Sequence, residues 1–204
     1  MNVVQRGRLP LWLKVAFTLW ILFWAPAVAT QVGIQNYLWL CNLANFLLLA
    51  GLWAESRLII SMQWLATALV GSLWALDAGV AWVSGWHPIG GTEYMFDVNS
   101  PLGVRLLSLY HLILPLVAGV GVARLGYAPR ALVWQTLLTW LAVPAAFLLT
   151  EPWRNVNWVH GPFGAPQNLL DPVVYLIGLM LAWPLLLYLP VHLVTRWLNR
   201  RTRR

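Results

Sequence analysis

Six long apolar runs, almost without charge, decide what this chain can fold into. They extend over Leu11 to Thr30, Tyr37 to Ala54, Leu58 to Val83, Val104 to Val122, Ala131 to Thr150 and Val173 to Trp197. About 20 mostly apolar residues in a helix are needed to cross the hydrocarbon core of a bilayer, where backbone polar groups must be satisfied internally. The expected fold is all-α: a polytopic membrane protein, a six-transmembrane-helix bundle, with residues 1–204 forming a single transmembrane domain. At 60% hydrophobic and 9% charged residues, the composition excludes a disordered chain, and it excludes nucleic-acid binding despite a net charge of +7.

The charges then orient the bundle. Arg6, Arg8, Lys14, Arg57, Arg124, Arg130, Arg196, Arg200, Arg201, Arg203 and Arg204 all fall on one side if the runs alternate in direction, which leaves only Arg105 and Arg154 on the other. The positive-inside rule makes the first side cytoplasmic, with both termini there, in the plasma membrane of a bacterium (its inner membrane). The Arg-rich tail also suits anionic lipid headgroups. Ala27-Val28-Ala29 after a basic start resembles a signal-peptide cleavage site. The length of the first run and its Trp20, Trp24 and Pro26 favour a retained anchor. Of 15 tryptophans, Trp12, Trp39, Trp53, Trp82, Trp86, Trp153, Trp158 and Trp197 lie near run ends, as interfacial anchors do.

Polar side chains inside such runs are costly and mark function by default. Cys41, Asn42, Asn45, Asp77 and His111 lie near the outer ends of their runs, at similar depths. A thiol, an imidazole and a carboxylate brought together there suit nucleophilic acyl chemistry, with Cys41 as nucleophile, His111 as base and Asp77 orienting it. Asn42, Asn45, Asn155, Asn157, Trp158 and His160 are the expected substrate-binding or oxyanion groups. Two long external loops, Ser84 to Pro101 and Glu151 to Asp171, carry the last four of these together with His87, Glu93 and Asp97. No compact ligand motif joins the external His, Asp and Glu residues, so neither a metal nor another cofactor is expected. A lone cysteine excludes an internal disulfide.

Three patches carry a family resemblance. Tyr37-Leu-Trp-Leu-Cys-Asn-Leu-Ala-Asn45, Leu109-Tyr-His-Leu-Ile-Leu114, and Asn155-Val-Asn-Trp158 followed by Gly161-Pro and Leu169-Leu-Asp171 resemble segments of the YwaF-like integral membrane family. That family includes the transmembrane protein 164 type of acyltransferase and, distantly, the androgen-induced membrane hydrolases. The resemblance implies that Cys41 accepts the acyl group and that His111 is its partner. Trp39 departs from the family pattern, as does the loop from His87 to Asp97.

The expected activity is therefore an acyltransferase or lipid-ester hydrolase acting on a lipid-like substrate, with membrane lipids as partners and no protein partner specified. A non-catalytic protein that binds a lipid or a partner through its outer loops is the alternative. A small-solute transporter ranks third, because the inner half offers little polar beyond His192.

Overall fold

The computed structural model describes residues 8–201, so Arg6, Arg203 and Arg204 lie outside the described residues. Among the described residues eight α-helices follow one another: α1 (Leu11–Gln31), α2 (Leu40–Trp53), α3 (Arg57–Ser84), α4 (Leu102–Ser108), α5 (Tyr110–Leu125), α6 (Ala131–Leu149), α7 (Pro172–Ala182) and α8 (Leu189–Arg201). No strand occurs among the described residues. α4 and α5 meet at Leu109 and act as one span, Leu102–Leu125, while α7 and α8 are joined through a π-helical stretch, Trp183–Tyr188. Five helices result that are long and apolar enough to cross a membrane.

The remaining expected span, Tyr37 to Ala54, is divided. A 3₁₀ turn, Ile34–Leu38, is separated by extended Trp39 from α2, which has 14 residues. At about 1.5 Å per residue α2 covers roughly 21 Å, short of the ~30 Å hydrocarbon core. Two features lead the chain into the break. Gly33 turns the chain at φ +89°, and the Tyr37 hydroxyl then donates back to the Ala25 carbonyl of α1.

α3 is the central post and packs against α2, α5, α6 and α8. Its approach to α5 is a backbone contact, since a Cβ at Gly71 would lie 2.5 Å from the His111 carbonyl oxygen. Small residues allow such close crossings in apolar surroundings. α1 contributes Leu13, Phe17, Ile21, Trp24 and Val28, a stripe at helical spacing, to one core cluster with α2, α4 and α5. The π stretch follows from Pro184, which has no N–H to give the Met180 carbonyl. Trp140 Nε1 of α6 satisfies that carbonyl instead, at 2.9 Å.

The bundle has two unlike ends. One carries Lys14, Arg57, Arg124, Arg130, Arg196, Arg200 and Arg201, and Lys14 there pairs with Glu55 at 2.6 Å. The other end carries both long loops. Of the tryptophans expected as anchors, Trp12, Trp53, Trp82, Trp86, Trp153 and Trp197 are exposed. Trp39 and Trp158 instead face into the protein and line a cavity at the long-loop end.

Candidate functional site

A cavity of about 400 Å³ opens among α1, α2, α3, α4, α5 and the π stretch. Its walls are mostly aliphatic and aromatic: Val28, Val70, Leu73 and Leu107 stand beside Trp24, Trp39, Trp74, Trp158 and Trp183. Its polar groups are few. Cys41 and Asn42 come from the first turn of α2, and Tyr110 and His111 from the first turn of α5. Both helices begin at this level because each is broken just above it, at Trp39 and at Leu109.

Tyr110 is the hub of the polar group. Its hydroxyl lies 2.5 Å from Asn42 Oδ1 and 3.0 Å from Cys41 Sγ. Asn42 Nδ2 donates to the Asn36 carbonyl at 2.7 Å, which fixes Oδ1 as the atom that faces the phenol. The phenol has one proton, and Asn42 Oδ1 can only accept. In that arrangement the Cys41 S–H donates to the phenol oxygen, completing a chain from thiol to phenol to amide to backbone.

His111 is held from three sides. Its ring stacks on Tyr110 at 4.2 Å and on Trp74 at 5.1 Å between centroids. Nδ1 lies 2.8 Å from the Ser108 carbonyl. A carbonyl can only accept, so Nδ1 carries a proton and neutral His111 presents Nε2 as its acceptor, the tautomer a general base needs. The nearest group bonded to the Cys41 thiol is Tyr110, not His111.

Asp77 belongs to a different structure. It is fully buried, and its carboxylate accepts from Ile89 N at 2.7 Å, Gly90 N at 2.9 Å and the Thr92 hydroxyl, with His87 Nδ1 at 3.1 Å. The expected orienting bond to His111 is absent, because all of these contacts face the loop. Asp77 pins the segment Ile89-Gly-Gly-Thr92, which closes one side of the cavity. Next to it, Tyr94 receives a bond from Trp74 Nε1 at 3.3 Å, and burial pushes the Tyr94 phenol up from its ordinary range.

The amides divide in the same way. Asn157 lines the cavity, but both ends of its amide are spent on α2's entry: Oδ1 accepts from Leu40 N at 2.9 Å and Nδ2 donates to the Leu38 carbonyl at 2.8 Å. Asn45 lies outside the cavity lining, bonded to Trp20 Nε1 at 3.2 Å and to the Cys41 carbonyl at 3.4 Å. Asn155 folds its own loop, accepting from His160 N and donating to the Gly161 carbonyl, both at 2.8 Å. His160 packs its ring on Phe147 at 5.0 Å, outside the lining. Trp158 forms part of the wall, stacked on Trp183 at 6.2 Å.

Of the nine expected site residues, the structure gathers Cys41, Asn42, His111, Asn157 and Trp158 around one cavity. It assigns Asp77, Asn45, Asn155 and His160 to the frame. It adds Tyr110, whose only sequence signal was its place beside His111 inside an apolar run. Among the described residues, no three His, Cys, Asp or Glu side chains gather as they do around a metal ion. Comparison with family models, with curated proteins and with solved structures returns no match.

Proposed function

We propose that this chain is a membrane-embedded acyltransferase or lipid-ester hydrolase, with Cys41 as nucleophile and His111 as base. The observation that carries the reading is a thiol and a base-competent imidazole facing one apolar, aromatic-walled cavity. Cavities that are mostly apolar with a few converging polar groups are the usual form of small-molecule sites. An acyl chain matches these walls, and an ester carbonyl matches the polar patch.

On this reading Cys41 Sγ attacks the acyl carbonyl and its proton passes to His111 Nε2. The tetrahedral oxyanion collapses, the ester C–O bond breaks, and the leaving alkoxide takes the proton from His111. A thioester on Cys41 remains. Water or an acceptor alcohol then attacks it, gives its proton to His111, and releases the acyl product with the thiol reprotonated. The Tyr110 hydroxyl, its proton given to Asn42 Oδ1, stands beside the sulfur and accepts from the resting thiol. The likeness of Cys41 and His111 to the YwaF-like pair agrees with these roles. In the same reading, α2 with its 3₁₀ entry makes a sixth crossing, the Arg-bearing end and both termini are cytoplasmic, and the cavity opens towards the outer leaflet of a bacterial inner membrane.

The test is acyl release from lipid esters by the purified chain, with Cys41→Ser and His111→Ala each compared in folded protein. Both substitutions should abolish turnover, and an acyl-mimicking electrophile should label Cys41. Unchanged turnover in both variants removes the proposal. A second reading, a lipid-binding protein without catalysis, is favoured by the thiol's bond to Tyr110 in place of His111. It expects lipid binding with Cys41 unreactive towards the electrophile.

A further inference from the structure

Two separately anchored loops meet over the cavity. The loop between α3 and α4 lines it with Gly90 and Gly91, and the loop between α6 and α7 lines it with Trp158 and Phe163. Asp77 holds the first loop through Ile89 N and Gly90 N, and Asn157 ties the second to the entry of α2 through Leu38 and Leu40. Among the described residues no hydrogen bond or ion pair joins one loop to the other. The seam between them is an apolar contact.

That contact centres on Phe163. Its Cδ1 lies 3.9 Å from the point a Cβ would occupy on either Gly90 or Gly91, and Trp158 Cζ2 lies 3.9 Å from that point on Gly91. The Phe163 ring also packs on Trp158, at 4.7 Å between centroids. Gly90 and Gly91, both in the left-handed region at φ +89° and +90°, form a strip without side chains on which the two rings rest. Of the four residues at the seam, Phe163 is the most open to the outside, at 50% exposure.

The backbone beneath the rings is strained. Among the described residues, four of the five non-glycine positions with positive φ are Asn155, Asn157, Trp158 and Phe163. Such conformations persist only where the surroundings impose them, and they gather at ligand clamps and switch regions. Asn155 and Asn157 are each held by two side-chain bonds, and the Trp158 carbonyl accepts from the Tyr175 hydroxyl. Phe163, at φ +51°, rests on its ring contacts. A turn of its backbone to an ordinary φ relieves strain, lifts the ring from the glycine strip and leaves both loop anchors intact.

We propose that this seam is the entrance to the cavity and that Phe163 closes it, so that the ring decides which molecules reach Cys41. They arrive from the long-loop surface and not sideways between the helices. The proposal goes beyond the acyl-transfer reading and holds whether the occupant is turned over or only bound.

Cys41 is the only cysteine in the chain, so its modification reports entry to the cavity. The experiment exposes the full chain in lipid nanodiscs to a charged, membrane-impermeant methanethiosulfonate and, separately, to a lipid-soluble maleimide, and follows labelling by intact mass. Phe163→Ala should speed labelling by the charged reagent about 3- to 10-fold, the bias towards closure that one aromatic pair provides. Phe163→Leu, which keeps more of the apolar contact, should fall between Ala and Phe, and Phe163→Trp should slow the reaction. Trp86→Ala, at an exposed tryptophan of the same end outside the cavity lining, should leave the rate unchanged. Equal rates for the charged reagent across the Phe163 series overturn the assignment. So does labelling by the lipid-soluble reagent alone, which identifies entry from the bilayer. Acceleration by Trp86→Ala as large as that of Phe163→Ala also overturns it, since the loops have then only loosened. Ester turnover is not read, so failure of this entrance and failure of the acyl-transfer reading are separate results.

Discussion

Tyr110→Phe isolates the hub of the polar chain. The ring keeps its place, edge-on to Trp24 at 5.5 Å and stacked on His111 at 4.2 Å, so the lost packing is close to nil. What goes is one oxygen and its two interactions, with Asn42 Oδ1 and Cys41 Sγ. Each intramolecular hydrogen bond contributes about 0.5–1.5 kcal/mol net, while a buried acceptor left without a donor costs about 1–3 kcal/mol. Asn42 is 2% exposed, so water does not replace the phenol there. The expected loss is therefore about 2–3 kcal/mol, dominated by the orphaned Asn42 oxygen. A double-mutant cycle with Asn42→Ala checks the cause, because Tyr110→Phe should cost much less once that oxygen is gone. Unfolding free energies of the four proteins in mild detergent should show a coupling of roughly 1–2 kcal/mol. Additivity within about 0.5 kcal/mol would refute the shared bond.

Two frame residues give further expectations. Asp77→Ala strips the partners from Ile89 N and Gly90 N and should destabilise the protein by about 3–5 kcal/mol. Asp77→Asn should cost less, since its amide oxygen can still accept from both. Hydrogen exchange at Ile89 and Gly90 should accelerate in the Ala variant, and unaltered protection there would remove Asp77 as the pin. In α3, Gly71→Ala must displace the His111 carbonyl and should cost about 1–3 kcal/mol. Gly79→Ala in the same helix meets nothing within 4 Å and should stabilise by up to about 1 kcal/mol from helix propensity. Thermal unfolding of the pair should show opposite signs, and a loss at both positions would contradict the α3–α5 contact.

The long apolar runs made the helices readable, because apolar length is what a membrane demands of a helix. α1, α3, the α4–α5 span and α6 end within a few residues of the expected limits. The division of the second run was not readable, because Leu38-Trp39-Leu40 contains no residue that breaks a helix. The break comes from outside, from Asn157 holding Leu38 and Leu40 in a loop more than a hundred residues away. The site was partly readable for a related reason. Depth along a run can be counted, so Cys41, Asn42 and His111 were found together. The direction a side chain faces cannot be counted across runs of uncertain rotation, so Asp77 was grouped with His111 when it turns to its own following loop. Trp39, expected as an anchor, faces the cavity, as does Trp158, expected both as an anchor and as a binding group, because position near a run end does not distinguish lipid-facing from cavity-facing.

The polar residues then resolve into two kinds by how their bonds are used. Asp77, Asn155 and Asn157 hold backbone N–H and C=O groups of non-helical segments, groups that would otherwise be orphaned where water is scarce. Each of these segments, Ile89 to Thr92, Leu38 to Leu40 and the loop around Trp158, contributes to the cavity wall. The frame therefore spends its buried polar bonds on keeping irregular backbone around an apolar space, an arrangement that a simple helix bundle does not need. Cys41, Tyr110 and His111 form the other kind. Their side chains are linked by two contacts, the thiol–phenol bond and the ring stack, and the His111 ring nitrogen Nε2 is left as an acceptor facing no assigned donor. A bundle that needed those three only for packing could have used apolar residues at less cost. Their placement together on the wall of this cavity is the physical reason to look for chemistry there.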